Sequence, residues 1–252
     1  MRNFLRLSLN YSLRAGIFFL FFSVVLVIVL RWLPVSYTPL MFFRCMQHAG
    51  NGNVRIEHQW VNADRIPNHL ELAVVCTEDQ RFLTHHGFDF EEIQKAMDEA
   101  EDGERQRGAS TISQQTAKNV FLWPSSTFVR KGFEAWFTVL IELFWSKQRI
   151  LEVYLNSAEF GDGIYGCESA AQHFFHKSAI QLSINESVRL AIVLPNPIKF
   201  NAGKPSPYLM KRQKWALEQM GNYGGVLKFP SEVSEEKITP KKTAGHSKKE
   251  ST

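Results

Sequence analysis

The sequence predicts a mostly α-helical domain outside the membrane, carried on a single N-terminal spanning helix. Residues 15–30 form an uncharged apolar run between Arg14 and Arg31. Further along the chain, capping residues repeatedly precede apolar side chains at helical spacing. Alternating strand patterns are scarce, and only residues 54–60 suggest a short strand. Together these observations predict one anchor helix followed by an α-helical domain.

The apolar run is the predicted membrane anchor. Its sixteen residues fall slightly short of the ~20 that a spanning helix needs. Snorkelling of the arginine that follows lets Trp32 and Leu33 complete a span over residues 15–33. Arginines before the run place residues 1–14 in the cytoplasm by the positive-inside rule, so the remaining chain is external. A buried core helix and a cleaved signal peptide are the alternatives, although no small-residue cleavage site follows the run.

The external chain divides into three parts. Residues 34–65 form a membrane-proximal segment, and the apolar stretch 37–43 within it either joins the core or contacts lipid. Residues 66–228 carry the helix signals of the main domain. Residues 229–252 are rich in Ser, Glu, Lys and Pro. Because that tail has almost nothing to bury, it is predicted to be disordered.

Helix signals follow one another through the main domain. Pro67, at a first helical position, opens a helix that is predicted to run to Gly87. Asp89 and Glu92 then form a capping box for a second helix, and a charged loop follows at residues 101–108. The remaining helices are predicted from Ser110 or Thr111, from Thr127 to Trp145, after Ser146, from a glycine turn (Gly161, Gly163, Gly166) to His176, after Ser183, and from Ser206 to Gly221.

Composition argues against several functional classes. The net charge of +4 is mild, and no long basic stripe with interleaved aromatic residues appears, so nucleic-acid binding is not expected. The three cysteines are widely spaced and match neither a disulfide framework nor a CxxC metal site. His173 and His176 could share a helix face but have no third ligand nearby. No metal site is therefore predicted.

The first candidate for chemistry is the carboxylate pair Glu78–Asp79. It lies near the end of an otherwise apolar helix, where burial raises the pKa of a carboxyl group and suits it to proton transfer near neutral pH. His85 lies seven residues after Glu78 and is predicted to share its helix face. The alternative is an ordinary carboxylate pair at the solvent end of a helix.

The second candidate is the polar helix that begins after Gly108. Thr111, Gln115 and Lys118 fall on one helix face. They offer neutral hydrogen-bonding groups and one cation, a set suited to sugar hydroxyls and phosphate. A polar surface helix is the alternative.

The third candidate is the i, i+4 pair Arg130 and Glu134 on an otherwise apolar helix. An intrahelical salt bridge would account for the pair. The functional interpretation is a second acidic residue beside a cationic phosphate site. Two carboxylates with cations between them fit a reaction at a glycosyl phosphate, since one carboxylate activates the attacking hydroxyl while the cations stabilise the departing phosphate.

Five sequence blocks, in this order, resemble the peptidoglycan glycosyltransferases. They are EDQRFLTHHGFD from Glu78, GASTISQQTAKN from Gly108, RKGFE from Arg130, KQRILEVYLNSAEFGDGIYGCESAAQHFF from Lys147, and SINESVRLAIVLPNP from Ser183. The resemblance covers roughly residues 66–221. Because no transpeptidase segment follows, the chain is similar to the monofunctional members found in Gram-negative bacteria.

The resemblance implies a lysozyme-like, mostly α-helical glycosyltransferase domain seated on the membrane, with a small flexible jaw near the lipid. The implied donor is a glycan chain on undecaprenyl diphosphate, the acceptor is lipid II, and inverting transfer gives a β-1,4 glycan. No cofactor is obligatory, although Mg²⁺ or another divalent cation assists some members. The implied location is the bacterial inner membrane with a periplasmic catalytic domain, and divisome or other wall-synthesis proteins are candidate partners.

The resemblance also implies roles for single residues. Glu78 matches the general base that deprotonates the 4-hydroxyl of the acceptor GlcNAc, and Glu134 matches the second acidic residue, on the donor side. Lys118, Arg130 and Lys131 match positions that bind the diphosphate. The other implied substrate-binding residues are Thr111, Gln115 and Asn119, and the implied supporting residues are Asp79, Phe82, His85, Ser110 and Gln114.

One departure concerns the phosphate site. Many relatives carry a basic residue a few positions before the Arg130–Lys131 pair, whereas residues 124–127 here read Pro-Ser-Ser-Thr. The remaining cations must then do more of the diphosphate binding. Two other functions stay open: a membrane-anchored scaffold for wall-synthesis proteins, and a lysozyme-like lytic enzyme, which needs no diphosphate site.

Overall fold

The computed structural model describes residues 2–49, 55–101 and 108–229. The described residues form ten α-helices and a small three-stranded sheet. The helices are α1 (Arg2–Leu30), α2 (Pro39–Ala49), α3 (Asn68–Glu78), α4 (Phe90–Glu101), α5 (Ile112–Phe121), α6 (Phe128–Phe144), α7 (Lys147–Ser157), α8 (Cys167–Phe175), α9 (Ile184–Val193) and α10 (Pro207–Asn222). The strands are β1 (Glu57–His58), β2 (Glu159–Gly161) and β3 (Ile164–Tyr165). The predicted disordered tail, apart from Phe229, and most of the charged loop at 101–108 lie outside the described residues.

The N-terminal helix α1 contains a segment, Asn10–Leu30, that is long and apolar enough to cross a membrane. Most of its described side chains are exposed, which argues against the core-helix alternative. One side docks on α6 and the residue after it. The indole nitrogen of Trp136 donates to Ser23 Oγ at 3.1 Å, and that of Trp145 donates to the carbonyl of Val27 at 2.8 Å. The anchor therefore has a fixed contact with the domain.

Helix α2 divides the apolar stretch at 37–43 between two environments. Leu40 and Met41 are buried, whereas Phe42 and Phe43 are about half exposed. The helix packs against α5. The two alternatives, packing in the core and contact with lipid, thus each describe part of the segment. One side of α2 packs in the core, and the other side is exposed and could contact lipid.

The centre of the domain is α3, which is buried on every side from Leu70 to Cys76. It packs against α9 and α10, while α5 packs between α6 and α7. Apart from Glu71, every residue of this stretch is apolar, and a helix with apolar side chains on all faces belongs at such a centre, because each face needs a partner. The last residue of α3, Glu78, is therefore delivered by a rigid, buried element.

The predicted extension of α3 to Gly87 is wrong. The helix ends at Glu78, and Asp79 leaves helical geometry at φ −161° and ψ 78°. The Asp79 carboxylate instead accepts hydrogen bonds from the Ile112 backbone at 3.0 Å and from the His85 ring at 2.9 Å. These non-local partners compete with helix propagation, and the chain turns back toward Gly87, which has φ +87°.

The predicted helix starts are largely confirmed. Thr127, Ser146, Ser183 and Ser206 are the N-caps of α6, α7, α9 and α10, and each side chain accepts from the backbone three residues on. Thr111 caps α5 in the same way. Short side-chain oxygens satisfy the free N–H groups of a first helical turn, so these boundaries follow from local chemistry.

The glycine turn before α8 is a short β-hairpin that the sequence did not predict. β2 pairs antiparallel with β3, and β1 pairs parallel with β3 on its other side. Gly163, at φ +69°, lies against the backbone of Arg55, where an added Cβ would come within 2.5 Å of the carbonyl oxygen. The sheet therefore joins the membrane-proximal segment to the main domain.

Candidate active site

The predicted site residues meet around the carboxyl end of α3. Glu78 and Asp79 end that helix, and hydrogen bonds connect both of them to α5. Helix α5 in turn packs against α6, which carries Arg130 and Glu134. Three separate stretches of the chain are thus brought together.

Glu78 is a partly enclosed carboxylate. Its Oε2 accepts a hydrogen bond from Gln115 Nε2 at 3.0 Å. Burial raises the pKa of Glu78, while the hydrogen bond from Gln115 and the charges of Arg212 and Lys118 oppose that rise. A carboxylate in this environment holds a proton more readily than one in water, which suits it to act as a general base. The predicted direction of the pKa shift is confirmed.

Gln115 is itself held in place by Tyr154 of α7. The phenol donates to Gln115 Oε1 at 3.1 Å, so the amide nitrogen is left to face Glu78. Burial raises the pKa of Tyr154 well above its usual value, and the hydroxyl therefore remains a donor at neutral pH. The sequence reasoning did not single out Tyr154, because nothing in local spacing connects it to residues 39 positions away.

Asp79 and His85 form a buried pair that joins the start of α5 to the turn after α3. The ring Nε2 of His85 lies 2.9 Å from Asp79 Oδ1, and the Gly87 backbone donates to Nδ1 at 3.1 Å. Since Nδ1 accepts, Nε2 carries the proton and donates to Asp79. The prediction that His85 shares a helix face with Glu78 is therefore wrong, because the helix ends before His85 and the ring turns to Asp79.

Phe82, Thr111 and Gln114 support this arrangement without meeting Glu78. Phe82 is fully buried, with the Lys147 ammonium 4.6 Å from its ring centre. Thr111 Oγ1 donates to the carbonyl of Gly87 at 2.7 Å, and Thr111 and Gln114 form the capping box of α5. Thr111 is thus the N-cap of α5, and of the predicted face only Gln115 and Lys118 lie within the helix.

Ser110 and Asn119 occupy opposite extremes of exposure. Ser110 is exposed just before the cap of α5, whereas Asn119 is buried at 6% exposure near the end of the same helix. Neither side chain has a hydrogen bond to Glu78 or Glu134 among the described residues. Their substrate-binding and supporting roles remain predictions from the resemblance.

The cationic part of the site is built around a buried carboxylate on α6. Glu134, at 2% exposure, accepts from Arg130 Nη1 and from Lys131 Nζ. The intrahelical salt bridge that the sequence allowed is therefore present. Residues 124–127, which contain no basic side chain, lie just before this helix, and Thr127 is its N-cap.

Lys118 is the half-buried cation of α5 that faces this cluster. Burial is the main cause of a lowered pKa for Lys118, and the positive charges of Arg130, Lys131 and Arg44 lower that pKa further, against the opposing charge of Glu134. Several cations thus act on one another across a small, partly enclosed region. Such a region attracts an anion that can neutralise it.

Two arginines near the site were missed by the sequence reasoning. Arg212 of α10 lies close enough for its charge to act on Glu78, and Arg44 of α2 acts on Lys118. Both lie far along the chain from the residues they affect, so helical spacing gives no sign of them. Among residues 2–49, 55–101 and 108–229, no group of three or more metal-ligating side chains comes together.

A helical domain on an apolar anchor, with an enclosed carboxylate beside a cation cluster, has the features of a membrane-bound enzyme that acts on an anionic substrate. The family model described as Transglycosylase matches residues 46–221, and the chain belongs to this family. The chain is 52% identical over 242 residues to the biosynthetic peptidoglycan transglycosylase of Bacteroides thetaiotaomicron, an alignment that covers 96% of each chain. It is 50% identical over 225 residues to the protein of that name in Chromohalobacter salexigens, covering 89% of this chain and 96% of the other. It is also 50% identical over 214 residues to that of Caulobacter vibrioides, covering 85% and 88%. The resemblance to the peptidoglycan glycosyltransferases, and with it the lysozyme-like helical class, is confirmed.

Proposed function

We propose that this chain polymerises lipid II into linear β-1,4 glycan strands of peptidoglycan. The family match and the names of the relatives support this reaction class. The observation that carries the mechanism is the partly enclosed Glu78 carboxylate, which interacts with the charge of Lys118, a cation that in turn interacts with the charged groups around Glu134. Acceptor activation and leaving-group stabilisation can then occur side by side.

Glu78 acts as the general base in this proposal. Its raised pKa lets it take the proton of the acceptor 4-hydroxyl near neutral pH. The hydroxyl oxygen bonds to the anomeric carbon of the donor, and the bond from that carbon to the diphosphate oxygen breaks. Attack on the face opposite the leaving group inverts the anomeric centre. The hydrogen bond from Gln115 keeps one carboxylate oxygen occupied and leaves the other for the hydroxyl.

Lys118, Arg130 and Lys131 receive the departing diphosphate. The electron pair of the broken bond ends on the diphosphate, and nearby cations stabilise that charge most strongly where water is partly excluded. Glu134 holds Arg130 and Lys131 in one orientation through its two hydrogen-bonded ion pairs. The cation cluster is therefore prepared before the substrate arrives.

The proposed substrate is a lipid, which agrees with the exposed apolar side chains around the anchor. Phe42 and Phe43 of α2 are about half exposed, and Phe128 at the start of α6 is almost fully exposed. We infer that these side chains enter the surface of the inner membrane, with the N-terminus of α1 in the cytoplasm and the catalytic domain in the periplasm. Divisome or other wall-synthesis proteins remain candidate partners.

The experiment that tests the function uses full-length protein in detergent with lipid II. Products are separated by gel before and after muramidase digestion for the wild type, Glu78→Gln and a control, Asp64→Asn, whose carboxylate is exposed. The proposal expects muramidase-sensitive chains from the wild type and the control, and none from Glu78→Gln.

Two other outcomes would favour the rival functions. Cleavage of preformed peptidoglycan, with no chains from lipid II, would indicate a lytic enzyme. Failure of the wild type in both reactions, with lipid II recovered intact, would indicate a scaffold.

A further inference from the structure

Arg44, in the membrane-proximal helix α2, has a buried polar group without a partner. Its Nε atom is shielded from solvent and has no hydrogen-bond partner. Among the described residues, no carboxylate forms an ion pair with its guanidinium. A half-buried arginine usually has its donors paired, because leaving them unpaired costs free energy. The unpaired Nε of Arg44 therefore points to a partner that is absent from the protein itself.

The packing of α2 explains why Arg44 turns inward. Leu40 and Met41 are buried where α2 meets α5. Arg44 follows them at i+4 and i+3, on the same side of the helix. Phe43 and Met46, on other sides, are exposed. Arg44 is thus directed toward α5, the helix that carries Lys118.

The charge of Arg44 adds to the cation cluster formed by Lys118, Arg130 and Lys131. It acts on Lys118 together with Arg130 and Lys131, and within this cluster Glu134 is the carboxylate that opposes them. These four cations repel one another, and the repulsion is relieved when a multiply charged anion binds. The charge of Arg44 also acts on Glu159, whose carboxylate accepts a hydrogen bond from the backbone N–H of Gly163.

We propose that Arg44 is a further diphosphate-binding residue, which extends the cation cluster from the side of the membrane anchor. The inference rests on the proposed function, since the diphosphate is that of the lipid-linked substrate. A guanidinium can donate two parallel hydrogen bonds to phosphate oxygens. A segment next to the membrane thereby contacts the phosphates of a substrate whose lipid tail lies in the membrane.

The test measures binding of farnesyl diphosphate and of farnesol to the full chain in detergent. The variants are Arg44→Met, which keeps the length of the side chain, and Arg44→Lys, which keeps the charge. Arg65→Met removes an exposed arginine and serves as the matched control. A thermal unfolding midpoint is recorded for each protein, and Arg44→Gln replaces Arg44→Met if the latter does not fold.

We expect Arg44→Met to weaken farnesyl diphosphate binding by roughly tenfold or more, the factor that accompanies loss of a charge-assisted hydrogen bond. Arg44→Lys should retain most of the affinity, Arg65→Met should match the wild type, and farnesol binding should not change in any variant. An Arg44→Met protein that binds the diphosphate as tightly as the wild type would overturn the inference. So would equal losses for the diphosphate and for farnesol, since they would indicate a purely structural role.

Lipid II polymerisation is measured in parallel, so that failure of the Arg44 inference can be distinguished from failure of the proposed function. A wild-type protein that makes chains, but binds the diphosphate no better than farnesol, would refute the Arg44 inference and leave the proposed function standing. A wild-type protein that binds the diphosphate through Arg44 but makes no chains would refute the function instead.

Discussion

Replacing Gln115 with Met should move the acid limb of the pH–rate profile to higher pH. The amide of Gln115 donates to Glu78 at 3.0 Å, and this hydrogen bond lowers the pKa of a carboxyl group that burial has raised. Methionine has nearly the same length but cannot donate. Without the donor the ionised form of Glu78 loses stabilisation, so its pKa rises further.

The size of the change follows from the strength of that bond. A hydrogen bond to a charged group contributes about 1.5–3 kcal/mol, and about 1.4 kcal/mol corresponds to one pKa unit. The acid limb should therefore move upward by roughly one to two pH units. Below that limb the rate should fall by about tenfold per unit, because only ionised Glu78 can accept the proton.

The assay is the initial rate of lipid II polymerisation by the full-length protein between pH 5 and pH 9, conditions chosen to bracket the limb. Gln94→Met is the control, since Gln94 donates to the exposed Asp98 on α4, within that one helix. An acid limb that stays in place or moves to lower pH in Gln115→Met would refute the reasoning, as would an equal shift in the control.

Three further predictions concern stability, each measured by thermal or urea unfolding of the full chain. Gly87→Ala should destabilise the protein by about 1–3 kcal/mol, because Gly87 has φ +87° and an added Cβ would lie 2.8 Å from Thr138 Cγ2. Gly132→Ala, in helix α6 with open space around the new Cβ, should instead stabilise by about 0.5–1 kcal/mol, and equal effects at the two glycines would contradict the account. Asp79→Ala should cost about 1.5–3 kcal/mol, since the carboxylate accepts two buried hydrogen bonds, and an unchanged midpoint would count against its structural role. Glu78→Gln should raise the unfolding midpoint at pH 7.5 but much less at pH 4: the folded pKa is raised above the unfolded value, so ionised Glu78 destabilises the fold only at pH above the unfolded pKa of about 4.3. A gain at pH 4 as large as that at pH 7.5 would contradict the raised pKa.

Local chemistry made most of the helix boundaries predictable from sequence. A serine or threonine that bonds to the backbone three residues on acts within one turn, so Thr127, Ser146 and Ser183 could be identified as caps from spacing alone. The pairing of Arg130 with Glu134 was predictable for the same reason, since both lie on one helix, four residues apart.

The features that could not be predicted from the sequence depend on contacts between residues far apart in the chain. Helix α3 ends at Glu78, well before the predicted end at Gly87, because the Asp79 carboxylate accepts a hydrogen bond from the backbone of Ile112, 33 residues away. The small sheet depends on pairing between β1 and a hairpin about 100 residues later, in strands too short for a period-2 pattern to register. In the site, Tyr154 and Arg44 reach their positions through helix packing, which a single-helix pattern does not encode.

The most direct test of the central claim is the rate of lipid II polymerisation by Glu78→Gln relative to the wild type at pH 7.5. Glutamine keeps the size of the side chain and its contact with Gln115 but cannot accept the proton of the acceptor hydroxyl. The account predicts a loss of about a hundredfold to ten-thousandfold, the contribution of a general base, in a protein that remains folded and still binds farnesyl diphosphate. A Glu78→Gln protein with a rate within a few-fold of the wild type would contradict the account.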